Sequence, residues 1–204
     1  MTKYGEAFKR PFTDVVKLLI GILLSIVPIV NFISSGYQLE CAKTANKNKF
    51  KLPDWKNWGN LFVRGLLAMI IGIIYMLPAL ILFTIGIGTA FLTGFFTEDV
   101  FSMIATSGPV ILSGLVLLII AAYISPMALT NYAMTYKFSA GFDFKKIFKK
   151  SFTGKYSLAW LFVIIYAFIV SYILGFIPYV GSAIASFILG VTMLTLFGSI
   201  YSKV

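Results

Sequence analysis

The chain has 204 residues, of which 59% are hydrophobic and only 12% charged, and its mean hydropathy is +0.94. A soluble domain of this size carries about twice that charged fraction, so the composition describes a polytopic helical membrane protein. The single cysteine, Cys41, excludes an intrachain disulfide and a cysteine metal cluster, and the absence of histidine removes the commonest metal ligand.

In chain order, the first element is a basic-aromatic segment, "FKRPFT". Its Phe8 and Phe12, with Tyr4, recur at helical spacing. Lys9, Arg10 and Lys17 then flank an apolar stretch, and Ser34-Ser35-Gly36 has the form of a cleavage site. Retention is expected rather than cleavage, because the same pattern recurs where no signal peptide can lie. The apolar run 15–37 contains "SIVPIVNF", and Pro28 is its expected corner. Next comes "FKLPDWKNWGN", rich in charge and tryptophan. Pro53 suits a first helical turn and Asp54 its positive end. Trp55 and Trp58, three apart, would share one face at headgroup level. Arg64 would snorkel back toward the same surface.

The runs 61–93 and 109–136 follow, with Pro78 as a second expected corner and "GFFTEDVFSMIATS" as the loop between them. In "FDFKKIFKKSF", Phe144, Ile147, Phe148 and Phe152 form one helical stripe; Lys145, Lys146, Lys149 and Lys150 form the other. That pattern predicts an amphipathic helix in the interface plane, capped by Asp143. The runs 158–176 and 179–201 close the chain around a third corner, Pro178 in "FIPYVG". Ser182, Ser186 and Gly190 are small residues at four-residue spacing, expected to pack against another helix of the same chain. The spacing Gly86-xxx-Ala90-xxx-Gly94 reads in the same way.

The 17 Lys and Arg, against 7 Asp and Glu, give a formal charge of +10. They fall in four segments: 3–17, 43–64, 137–155 and Lys203. By the positive-inside rule these are cytoplasmic, as are both termini, and the segments 94–107 and 176–181 are outside. The basic loops imply anionic headgroups as partners, not nucleic acid. The expected fold is all-α: a transmembrane helix bundle of about six membrane-embedded arms, with proline-cornered hairpins and short interfacial amphipathic helices. It forms one integral membrane domain over 1–204, with degenerate units 4–46, 53–137 and 142–202, because "LLSIVPIVN" aligns with "ILGFIPYVG" and "FKRPFT" with "FKKSFT".

No nucleophile–base pair, metal-ligand set, P-loop or dinucleotide fingerprint occurs. No enzymatic activity, cofactor or metal is therefore expected. Two functional classes remain. One is a non-enzymatic protein of the cell membrane that organises lipid or partner proteins at the cytoplasmic face. The other is a small transporter or channel for a neutral or apolar substrate, suggested by repeated units and broken spans.

The segment "LPDWKNWGNLFVRGL", with "GYQLECAK" before it and "IIYMLP" and "IPYVG" after it, resembles the domain of unknown function 4013 family of archaeal and bacterial membrane proteins. Leu52, Pro53, Trp55, Trp58 and Gly59 carry its most specific part. Lys43 and "TANKNK" depart from it, standing where more arginine and a shorter loop are expected. The resemblance implies a multi-pass membrane protein and supplies no catalytic residues.

Overall fold

The computed structural model describes residues 4–178 and 180–204; Lys3 of the first basic segment and Tyr179 of the last corner lie outside them. The described residues form helices joined by short connections: α1 (Tyr4–Lys9), a 3-10 turn (Arg10–Phe12), α2 (Val15–Ile26), α3 (Asn31–Asn46), α4 (Trp58–Thr97), α5 (Val100–Thr135), a 3-10 turn (Phe138–Phe142), α6 (Phe144–Ser151), α7 (Gly154–Leu174), α8 (Val180–Ile200) and a last 3-10 turn (Tyr201–Lys203). Local chemistry sets many of the boundaries. Asp14, Asp143 and Thr153 cap α2, α6 and α7 by accepting from the backbone N–H of Lys17, Lys146 and Tyr156. Asp99 accepts from the N–H groups of Phe101 and Ser102 at the start of α5. Asn48, Asn57, Glu98 and Tyr136 take positive φ where the chain leaves or enters long helices.

Four of the helices are long and apolar enough to cross a membrane: α4, α5, α7 and Val180–Lys203. Of the about six expected membrane-embedded arms, four are thus long enough to cross, and those of the first hairpin are shorter. There α2 is a shorter apolar helix of 12 residues, about 18 Å long at 1.5 Å per residue, well under the ~30 Å hydrocarbon thickness. Val27, held extended before Pro28, ends α2, and residues 27–30 form the turn into α3.

Pro78 is corrected too. It lies inside the unbroken 40-residue α4. The chain reverses some twenty residues later, at Glu98 and Asp99, so the expected polar loop 94–107 is mostly helix. In a hydrocarbon setting the backbone keeps its helical bonds around a proline rather than exposing more groups. Residues 175–178, including Pro178, form the turn after α7.

The described chain divides into two compact units: residues up to Ile71 together with Pro126–Val204, and Gly72–Ser125. The second is a helical hairpin from α4 and α5. Small residues bring its arms together, Gly86 against Ile111 and Gly114 against Leu82 and the Ala79 carbonyl, and the Thr93 and Thr106 hydroxyls bond at 3.1 Å. The first unit is built around α8, whose inner face buries Phe187, Val191, Leu194 and Phe197 against α2, α3 and α7. Helix α3 lies at backbone contact with two neighbours. Gly36 and Gly65 face the Leu61 and Phe32 carbonyls across α3 and α4, and Gly198 faces the Ala42 carbonyl across α3 and α8.

The segment "FKLPDWKNWGN" is not a helical entry. Residues 52–57 form no helix, and α4 begins only at Trp58. Long-range bonds hold this shape. The Tyr37 hydroxyl donates to the Pro53 carbonyl at 2.8 Å. The Trp55 indole N–H donates to the Lys17 carbonyl at 3.3 Å. Lys17 Nζ donates to the Leu52 carbonyl at 3.1 Å and to Asp54 at 2.9 Å. Trp55 stacks on Tyr37 with centroids 3.8 Å apart, above a buried cluster of Tyr37, Cys41, Leu52, Leu61, Phe187 and Val191. The segment thus plugs the end of the α2–α3–α8 packing, and Trp55 is an inward-packed residue rather than a lipid-facing anchor.

Asp54 is fastened by Lys17 and Lys56, whose hydrogen bonds and charges hold its carboxyl below the usual aspartate range. Its stabilising contribution is therefore present above the ordinary aspartate pKa, about 4, and is lost as pH falls through the depressed folded value. Thermal melts between pH 7 and pH 3 should show a smaller acid-induced loss in Asp54→Asn than in the wild type.

Candidate functional site

The basic segments meet at the end of the first unit where α3, α5 and α8 finish and α4 and α7 begin. Three nodes there differ in what their cations do.

At the first node Arg10 is fully buried, at 0% exposure. Its guanidinium donates to the Cys41 carbonyl at 2.8 Å, Thr195 Oγ1 at 3.2 Å, Thr44 Oγ1 at 2.6 Å and the Lys51 carbonyl at 3.0 Å. It ties the N-terminal turn to α3, α8 and residue 51, and no described carboxylate pairs with it. Its Nε lacks a hydrogen-bond acceptor. The sequence reading placed Arg10 among headgroup-facing cations. The one local hint to the contrary is "RPF", where Pro11 turns the chain just after the arginine.

The second node centres on Tyr136, at the end of α5. The Arg64 guanidinium carbon lies 3.7 Å from its ring centroid and Lys43 Nζ 4.1 Å. One carboxylate attends the pair: Glu40 Oε2 is 3.9 Å from Arg64. The Tyr132 hydroxyl donates to the Arg64 carbonyl at 3.4 Å. Arg64 is therefore placed on an aromatic platform rather than simply extended toward lipid.

The third node is α6. Ile147 is buried, while Phe144, Phe148 and Phe152 are exposed, and the last two rings stack at 5.8 Å. Lys145, Lys146 and Lys149 are exposed. Lys150 departs from the expectation that all four lysines face headgroups and water. Its Nζ donates to the Tyr201 and Val204 carbonyls at 2.6 and 2.5 Å and lies 4.3 Å from the Tyr201 ring centroid. Burial and the nearby Lys146 and Lys149 charges lower its pKa. The Tyr201 hydroxyl in turn donates to Asn131 Oδ1, and Asn131 Nδ2 donates to the Ala140 carbonyl at 2.6 Å. These bonds dock α6 on the C-terminal turn, and that turn on α5.

The other residues singled out in the sequence are dispersed. Trp58 is exposed, 5.9 Å from Trp55 between centroids. The small-residue face of α8 is divided. Gly190 lies against the Gln38 side chain, while Ser182 and Ser186 are exposed and line a cavity beside α7.

A separate cavity of about 360 Å³ opens within the first unit between α3, α4, α5 and α8. Asn31, Ser35 and Gln38 supply its polar groups from one face of α3; Phe32, Met69, Leu129, Met193 and Leu194 form most of the apolar wall. Its size falls at the lower end of small-molecule sites. Among the described residues no group of three or more His, Cys, Asp or Glu is arranged to hold a metal.

No curated protein and no solved structure matches the chain. The family described as protein of unknown function (DUF4013) matches residues 19–179. That span covers the α2–α3 hairpin, the tryptophan segment, the Tyr136 node, α6 and α7, and the chain belongs to the DUF4013 family.

Proposed function

We propose that this is a non-enzymatic multi-pass protein of the cell membrane that organises anionic lipid, or partner proteins bearing it, at the cytoplasmic face. The observation that carries this reading is α6. It presents three exposed phenylalanines beside three exposed lysines while Ile147 and Lys150 hold it to the rest of its unit. Aromatics of this kind bury in the headgroup boundary and lysines add about 1 kcal/mol each near an anionic surface. Both termini lie inside, and α4, α5, α7 and α8 cross. The hairpin α2–α3 enters the bilayer without crossing it, which reconciles its short helices with basic segments on both of its sides.

Copurification of the protein in native lipid particles tests the function. Anionic lipids should be enriched over the bulk membrane, and the enrichment should fall when Lys145, Lys146 and Lys149 are changed together to glutamine. A bulk-like lipid complement around the wild type overturns the reading. Impermeant thiol reagents test the topology in a chain lacking Cys41. A cysteine at Lys49 should react only from inside, one at Glu98 only from outside, and one at Ile29 from neither side.

The cavity between α3, α4, α5 and α8 favours a second reading, a carrier for a small neutral solute with an apolar body. Under it, reconstituted vesicles should show solute flux that falls when Gln38 is changed to leucine.

A further inference from the structure

The two arginines of the basic end stand in opposite conditions. Arg10 spends its donors on four acceptors within the chain. Arg64, among the described residues, donates no side-chain hydrogen bond and has only Glu40 at 3.9 Å. Among the described residues Lys43 likewise has the Tyr136 ring and no hydrogen-bond acceptor. Two cations therefore share one aromatic ring and one carboxylate, leaving a guanidinium fork and an ammonium with open donors and net positive charge. Lys47, the residue just past the end of α3, four beyond Lys43 and exposed, adds a third cation. A ring quadrupole attracts each cation but does not discharge it. The ligand that satisfies a planar fork and neighbouring ammonium groups is a tetrahedral oxyanion, met bidentately by the arginine and as a point charge by the lysines.

We infer that Lys43, Lys47 and Arg64, set against Tyr136, bind one phosphate group, that of an anionic phospholipid. The assignment rests on the proposed orientation, which puts this end of the unit at the anionic leaflet. Glu40 keeps Arg64 on its platform when the site is empty. The site is distinct from α6: it holds one headgroup by directed bonds, whereas α6 presents a diffuse surface.

The test uses the full chain in nanodiscs of phosphatidylcholine with a few per cent phosphatidylglycerol, with native mass spectrometry counting retained lipid and a thermal melt beside it. The wild type should retain one phosphatidylglycerol and melt higher than in phosphatidylcholine alone. Lys43→Gln with Lys47→Gln should weaken retention about tenfold or more, since each lysine near such a surface contributes about a factor of five. Arg64→Lys keeps the charge but loses the fork, and it should also weaken retention. The α6 triple glutamine variant should lose bulk anionic enrichment yet keep the single bound lipid, which separates failure of this site from failure of the surface reading. Retention unchanged in both the lysine pair and Arg64→Lys overturns the site. Inorganic phosphate raising the melt in phosphatidylcholine as far as the lipid does, and displacing it, assigns the site to free phosphate and overturns the lipid.

Discussion

Replacing Arg10 with methionine should destabilise the protein by about 3 kcal/mol or more, because four charge-assisted hydrogen bonds are lost, each worth about 1.5–3 kcal/mol but far from additive. The cost does not come from a broken ion pair. The acceptors left behind are the Cys41 and Lys51 carbonyls and the hydroxyls of Thr44 and Thr195. The Cys41 carbonyl keeps the Thr44 hydroxyl as a donor at 3.1 Å, so the cost comes from losing the guanidinium that joins three parts of the chain. Arg10→Lys should recover little, because one ammonium cannot span acceptors on α3, α8 and residue 51 at once. Lys9→Ala removes the adjacent, exposed cation and should melt within about 0.5 kcal/mol of the wild type. Thermal unfolding of the three variants in one detergent checks the ranking. Equal melting of Arg10→Met and Lys9→Ala would show that the buried guanidinium holds nothing together.

Gly36→Val should cost about 3 kcal/mol, the upper end of ordinary overpacking. At most positions an added methyl is absorbed by a flexible side chain. Here the atom it would meet is the Leu61 carbonyl oxygen, and on the facing side a Cβ at Gly65 would meet the Phe32 carbonyl. Backbone cannot step aside without moving a helix. If α3 and α4 part, the Gly65 contact is released as well, so Gly36→Val and Gly65→Val together should cost less than the sum of the two singles. Gly59→Val meets nothing within 4 Å and serves as the control. A double variant whose loss equals the sum of the singles would mean that the two glycines do not report one helix–helix contact.

The end of α6 can be read from four residues: Asp143 followed by a lysine and aromatic alternation announces a capped helix, and Asp143 does accept from the Lys146 N–H. The end of α2 is legible in the same way, since Pro28 disfavours the helical region for Val27 and α2 stops at Ile26. Pro78 misleads because the same residue in a long apolar run has no water to solvate a broken turn, so the helix continues through it. For Trp55 and Trp58 the spacing of three implies one face only if the segment is helical. The bonds that keep 52–57 out of a helix come from Lys17 and Tyr37, well away in sequence.

The sequence by itself determined the membrane class, the basic and non-basic ends of the apolar runs, and the capped start of α6, because hydropathy, charge and capping act over one or two turns of chain. Only the tertiary structure decided which cations are used up. Arg10 finds its acceptors 31, 34, 41 and 185 residues away, whereas Arg64 meets a ring at position 136 and a carboxylate at position 40. Both are arginines near the mouth of an apolar run, and nothing local separates them. The difference arises when α3, packed at backbone distance between α4 and α8 through Gly36, Gly65 and Gly198, brings carbonyls to one guanidinium and an aromatic face to the other.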